Sequence, residues 1–338
     1  MLLISSHRFA EHTTPPGHPE RPERAAVFDR IAAAWRDRGG RTAEPRPATR
    51  EELLRVHDAA HVDLMESTKG RAVMLDADTF TSPESYDIAL LAAGAAVQAA
   101  EHALDTKETA FALVRPPGHH AERDKAMGFC LFNNVAVAAA AAIARGLSRV
   151  AVVDIDVHHG NGSQWSFYDS PAVLYVSTHQ FPFYPGTGAA GEVGTGAGEG
   201  FTFNVPLEAG ATDADYAAVY LAIANVLMEY SPELLLISAG YDAHDDDPLA
   251  SMRVSTAGYA AIVQILRGAA ERIGCPIALV TEGGYDLDAL RACVNATLEV
   301  LEGDGRAVAI AASQPVAPRA ARALDAVRAA QSRFWRAI

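Results

Sequence analysis

The chain has 338 residues, 49% of them hydrophobic, enough for a sizeable core in one large domain or two. Its net charge of -14 argues against a general nucleic-acid binder, which needs a basic face, and leaves a cationic substrate or partner open. Cys130, Cys275 and Cys293 show neither paired nor metal-ligand spacing, the start has no signal-peptide layout, and the apolar run Val135–Ala144 is too short to span a bilayer. The expectation is a soluble cytoplasmic protein with no nucleic-acid and no membrane partner.

In chain order, short apolar strands alternate with amphipathic or Ala-rich helices. Strands are predicted at Leu2–Ser5, Ala110–Val114, Val150–Ile155, Val173–Ser177, Phe201–Val205, Leu234–Ser238 and Ile277–Thr281. Helices are predicted at Ser82–Leu104, Asn134–Arg145, Asp213–Tyr230, Thr256–Ile273 and Leu287–Leu301. Thr49-Arg50-Glu51-Glu52 reads as a capping box, and Ser82-Pro83 as an N-cap with proline at the first helical position. Strand–helix alternation predicts an α/β protein with a parallel sheet covered on both faces. No low-complexity linker and no repeat divides the chain, so one domain is expected over residues 1–310. Residues 311–338, with Leu324, Val327, Phe334 and Trp335 at helical spacing, are expected to dock on it as a C-terminal helix.

Polar residues gather where strands end, the place at which open parallel sheets bind ligands. Asp154-Ile155-Asp156-Val157-His158-His159-Gly160-Asn161-Gly162 follows the run Val150–Val153. Strand side chains alternate, so Asp154, Asp156 and His158 share one side. A carboxylate and an imidazole two residues apart can grip one divalent cation and leave positions for a distant ligand and water. The plain alternative is polar capping of the next helix. Three further loops have the same character: Arg115-Pro116-Pro117-Gly118-His119-His120, Ala239-Gly240-Tyr241-Asp242 and Glu282-Gly283-Gly284-Tyr285. Four such loops converging on one sheet edge describe a site.

Two decoys are set aside. Gly186–Gly191 fits a dinucleotide fingerprint but lacks the preceding strand and the following helix. His7, His12 and His18 lie in a Pro-rich loop without ligand spacing and read as rim-loop residues. Asp245-Asp246-Asp247 reads as a solvated turn whose field could attract a cation.

Together with Gly17-His18-Pro19-Glu20-Arg21-Pro22-Glu23-Arg24, Gly128-Phe129-Cys130 and Tyr184-Pro185-Gly186-Thr187-Gly188, these motifs occur in the order seen in histone deacetylases. The chain resembles that family, including its bacterial histone-deacetylase-like and acetylpolyamine amidohydrolases, over most of its length. The resemblance implies the arginase/deacetylase fold, a single-domain three-layer arrangement with a central, mostly parallel sheet flanked by helices. It implies Asp156, His158 and Asp242 as ligands of Zn2+, which Fe2+ or Co2+ could replace. It makes His120 the general base toward a metal-activated water, His119 its electrostatic partner, and Tyr285 the donor to the substrate carbonyl. Asp154 and Asn161 match the residues behind His119 and His120, and Asn at the second position is the class II-like choice. A neutral Asn161 raises the His120 pKa less than a carboxylate would.

The same resemblance gives Gly128 a backbone acceptor role, lines the acyl tunnel with Phe129 and Tyr184, and matches Arg24 to an inner acetate cavity. Leu249 stands where polyamine deacetylases carry Glu and lysine deacetylases an apolar residue. Asp154 and Ser177 match a structural K+ site. The implied reaction removes an acetyl (acyl) group from an N-acylated primary amine, first of all acetyl-lysine in a peptide. An acetylated small amine such as an acetylpolyamine is the alternative, and a homo-oligomer is compatible with either. A catalytically silent acyl-lysine binder is disfavoured because Asp156, His158, Asp242, His119, His120 and Tyr285 are all present. A ureohydrolase would need more aspartates for its two metals.

Overall fold

The apolar runs become interior strands of one sheet. The computed structural model describes residues 1–303 and 318–338, so the domain boundary expected at residue 310 lies outside the described residues. The strands of the main sheet are β1 (Leu2–Ile4), β2 (Arg41–Ala43), β5 (Ala110–Ala112), β6 (Val150–Asp154), β7 (Val173–Gln180), β8 (Thr202–Leu207), β9 (Leu234–Ala239) and β10 (Ile277–Thr281). A separate antiparallel hairpin joins β3 (Val73–Met74) and β4 (Phe80–Thr81). The main sheet runs in the order β2-β1-β5-β10-β9-β6-β7-β8, and its registered pairs are parallel. Strands covered on both faces bury every position, which is why β6, β9 and β10 are near-continuous hydrophobic runs.

The alternation of side chains divides the core in two. Ala151 and Val153 face a layer built from α1 (Glu23–Asp37), α7 (Asp213–Tyr230), α8 (Thr256–Ile273) and α9 (Leu287–Glu302). Val150 and Val152 face the Ala-rich α4 (Ser85–Thr106) and α5 (Asn134–Ala144). Small side chains let α4 and α5 approach each other and the sheet closely. The helix Pro318–Gln331 packs on β8 and α7, burying Leu324 and Val327, and beyond it the Trp335 indole donates to Gly200 O at 2.9 Å. Among the described residues, no helix is long and apolar enough to cross a membrane.

The expected elements are present with shifted ends. The predicted start of α4 is displaced: the helix begins at Ser85, because the Ser82 N–H donates to Ser85 Oγ (2.7 Å) and Ser82 Oγ accepts from the Thr13 N–H (3.1 Å). Ser82 thus ties down the N-terminal loop instead of capping the helix. The Thr49–Glu52 capping box forms and starts α2 (Arg50–Leu54). Sequence reading missed α1 and β2. The strand is a three-residue edge with Arg41 exposed, too short to give an apolar run.

Candidate active site

Strands β5, β10, β9 and β6 are consecutive neighbours in the sheet. Parallel pairing brings their carboxyl ends to one edge, so the four polar loops meet there. Asp156, His158 and Asp242 are all buried, and one ligand atom from each lies within 4.8 Å of the others. His158 Nδ1 is 3.1 Å from both Asp156 Oδ1 and Asp242 Oδ2. The carboxylates are aimed by backbone: Val157 N–H donates to Asp242 Oδ1 (2.8 Å) and Gly283 N–H to Asp156 Oδ2 (2.9 Å). Burial and the Asp156 charge push Asp242 up to about 7, while burial of His158 is outweighed by both carboxylates, which lift it to about 10. A divalent cation relieves that crowding of buried acids. Two carboxylates and one imidazole fit such an ion and leave part of its sphere open.

Beside the triad stand two histidines whose rings are 4.0 Å apart by centroid. His119 Nδ1 lies 3.0 Å from Asp154 Oδ2, and His120 Nδ1 lies 2.8 Å from Asn161 Oδ1. Asn161 is oriented by its other end, where Nδ2 donates to Glu122 Oε1 at 2.6 Å. Its carbonyl oxygen therefore faces His120, whose Nδ1 must carry the proton. The Nε2 lone pair of neutral His120 is left free. Burial disfavours both imidazoliums. At His119 the Asp156 and Asp154 charges outweigh it and hold the pKa well above the usual value. At His120 burial is reinforced by His119 and His158, and the pKa falls well below it. Two adjacent imidazoles are thus driven to opposite protonation states.

A cavity of about 190 Å³ connects these groups to the surface, lined by His120, Gly128, Phe129, His158, Tyr184, Leu249 and Tyr285 together with Asp78 and Phe183. Sequence reading missed the last two. Phe183 stacks on His158 at 5.5 Å, and its signal was adjacency to the Tyr184 motif; Asp78 sits at the β3–β4 hairpin, which carried no apolar pattern. Phe129 and Tyr285 meet edge to face at 5.7 Å. At Gly128 (φ +56°) a side chain would press into the His120 ring, so glycine keeps the cavity wall against the histidine. Burial raises the Tyr285 phenol well above its usual pKa, so it remains a donor.

Arg24 is not among the residues lining this cavity. It lies fully buried below Tyr285, with Nε donating to Gly284 O (2.8 Å), Nη2 to Glu282 O (2.5 Å) and Nη1 to Glu20 (2.9 Å). Ser177 is paired with Asp154 in the β6–β7 register, and its hydroxyl lies 2.9 Å from His179 Nδ1. Two readings of the sequence need correction. Asp247 is buried, not solvated, and accepts three backbone N–H groups, from Leu249, Tyr285 and Asp286, while Asp245 and Asp246 are exposed. His12 is no rim residue: it is buried against Ser85 Oγ (2.6 Å) and 3.4 Å from Glu20, whereas His18 does line a surface groove beside the cavity and His7 is exposed. Glu282, buried under the histidine loop, accepts from the Gly118 N–H (2.6 Å) and His119 N–H (3.1 Å) and is pushed by burial up to about 7.

Comparison with known proteins accounts for this arrangement. A histone deacetylase domain profile matches residues 18–301. A probable deacetylase of Archaeoglobus fulgidus is 39% identical over 85% of this chain and 81% of its own length. The polyamine deacetylase HDAC10 of Homo sapiens is 40% identical over 94% of this chain and 50% of its own, and histone deacetylase 15 of Arabidopsis thaliana is 41% identical over 85% and 53%. The chain thus spans about half the length of these two relatives. The crystal structure of the HDA15 HD domain superposes with a TM-score of 0.91 at 37% identity, covering 99% of this chain and 95% of that one. With the family profile across the region that carries all four loops, the chain belongs to the histone deacetylase family and is a deacetylase-type hydrolase.

Proposed function

We propose that the protein is a zinc-dependent amide hydrolase that releases an acetyl group from acetyl-lysine. The observation that carries this reading is one cavity lined by His158 of the Asp156–His158–Asp242 donor set, by His120 and by Tyr285. A divalent cation held by the triad would supply Lewis-acid activation of water and of the scissile carbonyl. Zinc suits the open site, and the hard oxygen-rich donor set would accept Fe2+ or Co2+ as well. His120 takes the proton of the attacking water at Nε2 and later returns it to the leaving amine. His119, held as the imidazolium by Asp154, provides positive charge beside it. Tyr285 donates to the carbonyl oxygen as negative charge develops there. Gly128, Phe129, Phe183 and Tyr184 enclose the acyl-bearing chain, and Leu249 gives the mouth an apolar edge. Asp154 and Ser177, neighbours across β6 and β7, are the side chains a structural K+ would use.

An acetylpolyamine is the second reading. It is supported by the human relative whose name is polyamine deacetylase and by Asp78 in the cavity lining; Leu249 in place of an acid counts against it. The experiment measures kcat/KM for an acetyl-lysine peptide, longer acyl-lysines and acetylated polyamines at one zinc loading. Acetyl-lysine is expected to lead, activity is expected to vanish with a chelator and return with zinc, and Tyr285→Phe should lower kcat on the order of 100-fold or more. Hydrolysis indifferent to the chelator would refute the metal mechanism, and an unchanged Tyr285→Phe rate would remove the phenol from it.

A further inference from the structure

We infer that Asp247 is a positioning residue that sets the Tyr285 phenol; the inference rests on the reading of Tyr285 as carbonyl donor. Asp247 is 6% exposed. Its Oδ2 accepts from the Tyr285 N–H at 2.7 Å and the Asp286 N–H at 3.3 Å, and its Oδ1 accepts from the Leu249 N–H at 3.0 Å. One carboxylate therefore holds two sides of the substrate cavity, the mouth at Leu249 and the donor at Tyr285.

The Tyr285 loop needs such an anchor. Gly283 and Gly284 have no side chains to pack, and Gly284 adopts φ +121°, so the backbone before Tyr285 is intrinsically loose. Charged side chains replace that missing packing. Arg24 draws on the carbonyls of Glu282 and Gly284 from below, and Gly283 N–H donates to Asp156. After Tyr285, Asp286 Oδ1 caps α9 by accepting from the Asp288 and Ala289 N–H groups. Between these fixed points the peptide that orients Tyr285 is held by Asp247. Asparagine at this position keeps the shape but presents an NH2 group to one of the two N–H clusters, because a carboxamide has one acceptor oxygen. An error of about 1 Å in a catalytic group can cost on the order of 100-fold in rate.

The test is a kinetic double-mutant cycle on the zinc-loaded full chain with an acetyl-lysine peptide, using Asp247→Asn, Tyr285→Phe and the double variant, with melting temperature and zinc content measured in parallel. Asp247→Asn should lower kcat about tenfold or more while KM moves by less than about threefold. In the Tyr285→Phe background the same change should cost less than about twofold, since its target is already gone. An unchanged kcat for Asp247→Asn, or an equal loss in both backgrounds, overturns the inference while leaving the Tyr285 reading intact. A Tyr285→Phe enzyme with normal kcat is a different result, removing the donor role and the inference with it. If Asp247→Asn does not accumulate as folded protein, Asp247→Ser enters the same cycle under the same criteria.

Discussion

Single residues at the site are constrained by what their neighbours leave free. A Cβ at Gly283 would collide with the Asp242 carboxylate and come within 2.7 Å of Asp156 Oδ2. Gly283→Ala should therefore splay the two acids and weaken binding of the proposed zinc ion by about 10- to 100-fold, read by competition with a chromophoric chelator. At Asn161 the argument is electrostatic. A carboxylate there would favour the His120 imidazolium and would also face Glu122, which now accepts from the amide. In the proposed mechanism the base works as the neutral imidazole, so Asn161→Asp should move the acid limb of the kcat/KM–pH profile to higher pH. A profile that stays in place would mean that His120 is not the titrating base.

Among the elements, α4 shows propensity and packing in conflict. Gly94 lies inside this helix, where Ala is intrinsically better by about 1 kcal/mol. A Cβ at Gly94 would, however, run into the backbone of Arg46, Pro47 and Ala48, which cannot step aside as a flexible side chain could. Gly94→Ala should accordingly destabilise by roughly 1–3 kcal/mol, seen as a lower midpoint in denaturant, and a stabilised variant would show that the 46–48 segment yields. The same competition explains the errors in reading element ends. Ser82-Pro83 has the composition of a helix start, yet Ser82 is taken by Thr13 across the fold and by Ser85 three residues on, and the helix begins at Ser85. Thr49 has no such rival and caps as its sequence predicts.

At the scale of the molecule, buried neutral histidines couple the fold to pH. His57 accepts from the Asn133 N–H at Nε2 and donates from Nδ1 to Glu122 O, both at 2.9 Å, and burial lowers its pKa to about 3. Because the folded pKa lies below the unfolded value of about 6.5, the unfolded chain gains the proton first. Stability is then fully present above about 6.5 and is lost as pH falls toward 3, by at most about 1.4 kcal/mol per unit for this group. His57→Gln should flatten the decline between pH 6.5 and 4 in denaturant titrations, and equal slopes would exclude His57 as a contributor. Long-range pairing also separates what was legible from what was not. The strands, the alternation and the chemistry of each strand-end loop are local facts, carried by hydrophobic period and by side chains near in sequence. Asp156, His158, Asp242 and Tyr285 could be named from them with the help of a family resemblance. Asp247, Phe183, Asp78 and Glu282 could not, since nothing local distinguishes a buried carboxylate clamp from a solvated acidic turn, or a tunnel wall from a spare aromatic. Which loops meet was decided only by the strand order β5-β10-β9-β6, a product of pairings between segments distant in the chain, such as Ala110 with Ala278 and Val150 with Leu234. By itself the sequence determined the parts and their chemistry; tertiary structure decided their company, because burial and the direction of a hydrogen bond exist only once distant segments have packed.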